Sequence, residues 1–151
     1  MSAEVFDGDA AELTAALEVL VPQLSKSNPP PTLAEVKEML ASDAITQFVA
    51  RDDDGRIIGV ATLAVFPIPT ARRAWIEDVI VDEPSSGRGI GAALTEAMID
   101  HARRLGCTTI ELTSRPTREA ANHLYRKLGF EIRDTNVLRL DLSDEGGSAR
   151  S

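Results

Sequence analysis

Apolar positions along this chain change their period several times, and each change marks an element. Leu13, Ala16, Leu17, Leu20, Val21 and Leu24 recur every three or four residues, which predicts one face of a helix. Asp9 and Glu12 precede them at capping-box spacing, with Asp where Ser or Thr is usual. A short strand, "AEVF" at 3–6, is expected before that. "SKSNPPP" at 25–31 ends the helix, because its prolines lack donors and fix φ. Thr32 and Glu35 form a second capping box, and Leu33, Val36, Met39 and Leu40 predict a short second helix.

The period then drops to two. "ITQFVA" at 45–50, "RIIGVATLAV" at 56–65 and "AWIEDVIVD" at 74–82 predict three strands. "DDDG" at 52–55 supplies a turn between the first two, and "FPIPTARR" reads as a loop before the third. Helical spacing returns in Ile90, Leu94, Ala97, Met98, His101 and Leu105, and Gly106 stops it. "TTIELTS" at 108–114 predicts a strand, and "TREAANHLYRKL" at 117–128 a helix with Ala120, Ala121, Leu124 and Leu128 facing in. "GFEIR" and "VLRLDL" alternate as two final strands around "DTN". One domain is expected over 1–143, followed by a polar, disordered tail at 144–151.

A strand, a glycine loop, a helix and a strand over 74–114 make one βαβ crossover, hence one parallel pair. The remaining strands read as antiparallel. The expected class is therefore α/β (α+β), with a mixed, mostly antiparallel central sheet.

Composition narrows the partners. Of the 151 residues, 43% are hydrophobic and 26% charged, ordinary for a globular domain. The formal net charge of −8 argues against nucleic acid as a general partner, since phosphate binding needs a basic surface. Cys107 is the lone cysteine, so no internal disulfide or CxxC metal pair exists. His101 and His123 lie far apart, and no metal is expected. The acidic start lacks a signal-peptide pattern, and no apolar run approaches a membrane span. A cytoplasmic setting is the default expectation.

The stretch that carries chemistry is "DEPSSGRGIGAAL" at 82–94, with Gly87, Gly89 and Gly91 at alternate positions before a helix. Such a loop cradles phosphates with backbone N–H groups and a helix N-terminus. Two ligands compete for it. Gly87-x-Gly89-x-x-Ala92 fits the loose dinucleotide fingerprint, with Glu111 twenty positions after Gly91. In that fingerprint, however, the first glycine follows its strand directly, whereas here "EPSS" intervenes. The second ligand is an acyl-CoA pyrophosphate.

"VIVDEPSSGRGIGAAL" resembles motif A of the GNAT superfamily of acyl-CoA-dependent N-acetyltransferases, V-x-P/D, a loop, then R/Q-x-x-G-x-G/A. "AANHLYRKLGFE" resembles the family's motif B, A-x-x-x-Y-x-x-x-G-F, at the usual separation. The resemblance covers nearly the whole chain. It implies a GNAT-like fold with helices on both faces of the sheet and a splayed parallel pair. It also implies transfer of acetyl from acetyl-CoA, the co-substrate, to a primary amine of a small molecule in a ternary complex. A non-catalytic acyl-CoA-binding module is the alternative from another class. A homodimer through the C-terminal strands is a habit of the family.

Residue by residue, the resemblance assigns Gly87, Arg88, Gly89, Ile90, Gly91 and Ala92 to the pyrophosphate. It assigns Val79, Ile80 and Val81 to the pantetheine arm, paired like an added strand. Ser86 departs from the family, which usually has Arg or Gln there, so the loop leans on its amides and on Arg88. Tyr125 is the only tyrosine and stands at the family's general-acid position. Asn122 shares its helix face and is a cofactor contact in the family. Glu77 is the expected base, commonly through water, and two-residue spacing places it on the face of Val79. Asp78 could serve instead, as base or as anchor for the substrate ammonium. Arg72, Arg73 and Arg133 could meet an anionic acceptor or stay solvated. His101 and Cys107 read as packing residues, and His123 as exposed.

Overall fold

The capping signals place the first two helices in this computed structural model, which describes residues 2–143. The Asp9 carboxylate accepts the Glu12 amide at 2.8 Å, and α1 (Ala10–Leu24) starts there. The Glu12 side chain does not close the box. It pairs with Arg51 at 2.6 Å, tying α1 to the sheet. Before α2 (Leu33–Ala41) both halves of the capping box form between Thr32 and Glu35.

Five strands form one sheet in the order β1 (Ser2–Val5), β2 (Ile45–Arg51), β3 (Ile57–Ile68), β4 (Ala71–Val81), β5 (Thr109–Glu111). The first four are antiparallel and β4 pairs β5 in parallel, as the crossover requires. A single 3-10 turn (Glu83–Ser85), α3 (Ile90–Arg104) and then α4 (Glu119–Lys127), which follows β5, complete the element list.

Helices cover both faces. Leu13, Leu17 and Leu20 of α1 and Val36 of α2 pack on Val49, Ile57, Val60 and Ile80. On the other face Ile90, Leu94, Met98 and Ala102 of α3 pack on Phe48, Ile58, Leu63, Ala74 and Ile76. Gly59 sets the second layer's spacing: a Cβ there would stand 2.9 Å from Ile90 Cγ2 and 3.2 Å from Leu94 Cδ1.

Two expectations need correction. "FPIPTARR" is not a loop: Phe66, Pro67 and Ile68 pair with Arg73, Arg72 and Ala71, leaving only residues 69 and 70 as the turn. Pro67 is tolerated because β3 has by then outrun β2, whose last partner is Ile45 opposite Ala64. "GFEIR" and "VLRLDL" form no strands. Gly129 turns with φ +102° and the Phe130 amide is spent on the Tyr125 carbonyl. Alternation expresses a preference for a ladder, and over 130–142 no ladder partner stands opposite. The expectation for 144–151 lies outside the described residues.

Candidate functional site

The site is built where β4 and β5 part. They pair only from Arg73–Thr109 to Trp75–Glu111, while β4 runs on to Val81. The β5 side of residues 76–81 is therefore left without a strand. The parting coincides with a bulge. Thr62 pairs Glu77 and Val60 pairs Ile80, so Ala61 alone faces both Asp78 and Val79. Asp78 sits at φ +49°, the one non-glycine residue at positive φ among those described. Asp is one of the few side chains that tolerate this region.

The extra residue reverses the alternation of β4. Ile76 and Val79 both pack toward the α3 layer, whereas Ile80 belongs to the α1/α2 layer. Glu77 and Val79 thus do not share a face, contrary to the two-residue count. Glu77 instead shares the face of Trp75, whose indole Nε1 donates to Glu77 Oε1 at 2.7 Å. The Asp78 carboxyl is pushed up, first by desolvation and then by the neighbouring Glu77 charge.

Past β4, the chain is fastened by a residue that the sequence did not single out. Gln23 of α1 donates to Asp82 Oδ1 and accepts from the Glu83 amide, both at 2.8 Å. The Ser86 hydroxyl donates to the Glu83 carbonyl at 2.8 Å and so braces the turn. Gly87 and Gly89 follow at φ +81° and +76°, and a Cβ on either would meet nothing within 4 Å. Their open side is the one a phosphate would approach. Arg88 between them is exposed, Ile90 is buried at the first turn of α3, and Gly91 and Ala92 continue that turn. Gly91 lies against α4, with a Cβ position 3.5 Å from Leu124 Cδ2.

A cleft of about 260 Å³ lies in this corner, lined by Val79, Ile80, Val81, Ser86, Gln23, Leu24, Glu83 and Arg118. Arg118, at the start of α4, was not anticipated. It is the cation that the cleft itself presents, where the expected Arg88 does not line it. Its charge also reaches Tyr125. That ring is buried at 8% exposure and packs edge-on against Phe130, with centroids 5.7 Å apart. Burial pushes the Tyr125 phenol up and the Arg118 charge partly opposes it. At neutral pH the phenol is therefore protonated. Asn122 donates its side-chain amide to the Arg115 carbonyl at 2.9 Å, holding the entry to α4.

The remaining candidates fall elsewhere. Arg73 and Arg133 converge on Glu111, at 3.4 and 2.8 Å, two cations on one carboxylate, so the trio keeps a net positive charge. Arg73 also lies four residues, roughly 13 Å of strand, before Glu77. His101 packs edge-on against Phe48 at 5.5 Å, and burial lowers its pKa. Burial likewise raises the Cys107 thiol, as expected for a packing cysteine. His123 is exposed. Among the described residues no group of three or more His, Cys, Asp or Glu could hold a metal, and no helix is long and apolar enough to cross a membrane.

Comparison with known proteins adds an independent line. The model of the Acetyltransferase (GNAT) family matches residues 13–130. The glucosamine 6-phosphate N-acetyltransferase of Trypanosoma brucei brucei is 35% identical over 114 residues, covering 73% of this chain and 75% of that protein. The mycothiol acetyltransferase of Propionibacterium freudenreichii is 34% identical over 89 residues, and the matched part spans 28% of that longer protein. A crystal structure of a Trypanosoma brucei acetyltransferase superposes with a TM-score of 0.76 at 30% identity, over 93% of this chain and 99% of the other.

Proposed function

Because the chain belongs to the GNAT family of acetyltransferases, we propose that it moves the acetyl group of acetyl-CoA to the primary amine of a small molecule, by direct attack in a ternary complex. The observation that carries this reading is the parting of β4 from β5 at the Asp78 bulge, directly before a glycine cradle. The dinucleotide alternative finds no such support, since a 3-10 turn separates β4 from the first glycine.

In this reading the amides of Gly87 to Ala92 and the N-terminus of α3 take the pyrophosphate, with Arg118 adding charge in the cleft and Arg88 outside it. The unpaired edge of Val79, Ile80 and Val81 takes the pantetheine amides as an added strand. One of those N–H groups would face the thioester oxygen, where charge develops during attack. Tyr125 gives its proton to the departing thiolate. Glu77, oriented by the Trp75 indole, is the base and acts through water. Asp78 is the second reading for that role, favoured by its desolvated carboxyl. Asn122 belongs to the donor site through the α4 entry that it secures.

The acceptor is a small amine. Relatives are named as a glucosamine 6-phosphate N-acetyltransferase and a mycothiol acetyltransferase. Arg73 and Arg133 share the one Glu111 carboxylate, which leaves a net positive charge there for an anionic acceptor to meet. The reading also includes one domain over 1–143, a cytoplasmic setting and a homodimer. Its test is thiol release from acetyl-CoA over a panel of primary amines, amino-sugar phosphates included. Turnover should fall about a hundredfold in Tyr125→Phe with little change in acetyl-CoA KM. Tight acetyl-CoA binding with no turnover on any amine would mark a binding module instead.

A further inference from the structure

Gln23 lines the cleft described above, and its bonded partner Asp82 lines another, of about 270 Å³. Helical spacing builds this second cleft. Glu12, Ala15, Ala16, Val19, Leu20 and Gln23 recur at steps of three and four, one stripe along α1. Ala15 and Ala16 are the small members of that stripe, and they leave a hollow against Ile57 of β3. Val19 flanks it at 59% exposure, and no large hydrophobic described before residue 132 is more exposed. The hollow falls just short of the roughly 300–1,000 Å³ of drug-sized sites, so it fits a small molecule with an apolar body.

Charge narrows the occupant. Glu12, Asp82 and Arg56 also line the cleft. Arg51 is shared by Glu4 and Glu12, at 3.5 and 2.6 Å, and Arg56 by Asp52 and Asp82, at 3.7 and 3.8 Å. Four carboxylates on two guanidinium groups leave the neighbourhood net negative. One carboxylate oxygen is also underused. Asp82 is only 9% exposed, and its Oδ1 accepts from Gln23 at 2.8 Å. Among the described residues its Oδ2 has only Arg56, beyond hydrogen-bonding distance. An oxygen so placed favours a ligand that brings a donor.

We propose that this cleft takes a small apolar ammonium, its N–H on Asp82 Oδ2 and its carbon skeleton on Ala15, Ala16, Val19 and Ile57, and that it acts on the donor site through Gln23. Arg56 then falls back on Asp52, its other partner. With Oδ2 occupied, the Asp82 carboxylate is fixed in the orientation that leaves Oδ1 to Gln23. The Gln23 Oε1 in turn holds the Glu83 amide at 2.8 Å, and Glu83 lines the donor cleft. Ligand binding therefore firms the lip of that cleft. The coupling rests on the acetyl-CoA reading above; the site itself does not. Linkage makes the effect reciprocal, so acetyl-CoA tightens the ammonium by the factor that the ammonium tightens acetyl-CoA.

The probe is N,N-dimethylbutylamine, a tertiary ammonium at neutral pH that cannot be acetylated to an amide. Calorimetric titration should show it binding at least about tenfold more tightly than 1-hexanol, a neutral chain of similar size. Ala15→Leu, at an exposed helical position, fills the hollow. It should abolish binding and keep the far-ultraviolet circular dichroism. Asp82→Asn keeps an acceptor for Gln23 and removes the charge, so the ammonium should lose its advantage over hexanol. In the native chain, saturating ammonium should lower the acetyl-CoA Kd about threefold, and saturating acetyl-CoA should lower the ammonium Kd by the same factor. In Gln23→Ala both effects should vanish while the ammonium still binds. Equal binding of ammonium and hexanol, or ammonium binding that survives Ala15→Leu, would overturn the site. An acetyl-CoA Kd unchanged or raised by the ammonium would overturn the coupling and leave the site standing. A chain that binds no acetyl-CoA at all would sink the donor reading, with the ammonium titration still deciding the site.

Discussion

Gly59→Ala tests whether the core sets the geometry of the donor cradle. Gly59 lies in β3 between Ala50 of β2 and Val81 of β4, under the first turns of α3. The added methyl would sit 2.9 Å from Ile90 Cγ2, 3.2 Å from Leu94 Cδ1 and 3.4 Å from the Ile80 carbonyl. Ordinary carbon contacts are about 3.5–4.0 Å, so the start of α3 must retreat by roughly 0.7 Å. Ile90 and Leu94 are 1% and 0% exposed and cannot swing into solvent. The cost should be about 1–3 kcal/mol. At this chain length each kcal/mol lowers the midpoint by roughly 2–4 °C, so a fall of about 4–8 °C is expected for the middle of that range. Ile90 directly follows Gly89, so the retreat also moves the cradle away from the Val79–Val81 edge. A shift of this size should raise the acetyl-CoA KM about tenfold. Gly55→Ala is the control: its φ of +83° costs about 1 kcal/mol in strain, and a Cβ there meets nothing within 4 Å. It should lower the midpoint by a few degrees and leave KM unchanged. Thermal melts and thiol-release kinetics measure both. A Gly59→Ala protein that melts with the wild type, or that shares its KM change with Gly55→Ala, would refute the reasoning.

Two further outcomes are expected. Arg118→Gln should raise the acetyl-CoA KM about tenfold, equivalent to about 1.4 kcal/mol, with kcat at saturation nearly intact; Arg88→Ala should do less, and the reverse order would return the missing charge to the loop. Asp78→Asn should stabilise the fold at neutral pH, because the carboxyl is raised from its ordinary 3.8 and Asn also tolerates positive φ. The sign follows from proton linkage: the wild-type group contributes fully below the unfolded value and loses that contribution as pH rises through the folded value. Urea melts across this window should therefore show the variant's advantage shrinking as pH falls, and an advantage that grows toward acid would contradict it.

The helices were legible because their signals are local: Asp9 and Thr32 cap them, Gly106 ends α3, and Ile90, Leu94 and Met98 of the expected stripe bury against the sheet, while Leu105 at its end is exposed. The glycine loop was legible for the same reason, since Gly87 and Gly89 occupy conformations few other residues accept. What escaped depends on pairing across the chain. No count along β4 reveals that Ala61 faces two residues, so the faces of Glu77 and Val79 came out wrong. Proline in "FPIPTARR" suggested a loop because its tolerance depends on where β2 ends. Arg118 and Gln23 had no motif to mark them; each matters through what the fold brings beside it.

The two Gln23 bonds tie the cradle to chain roughly sixty positions earlier. The strand, loop and first turn of α3 form a nearly continuous stretch that local forces can shape. Its final set waits on a helix synthesised long before it and docked across the sheet. A fragment starting after α1 would contain every glycine of the motif and keep the Asp82 amide on the Ile58 carbonyl, yet the stretch from Asp82 to Glu83 would lack both Gln23 bonds. In the proposed reading, phosphate recognition would thus depend on the assembled amino-terminal half as much as on the motif that announces it.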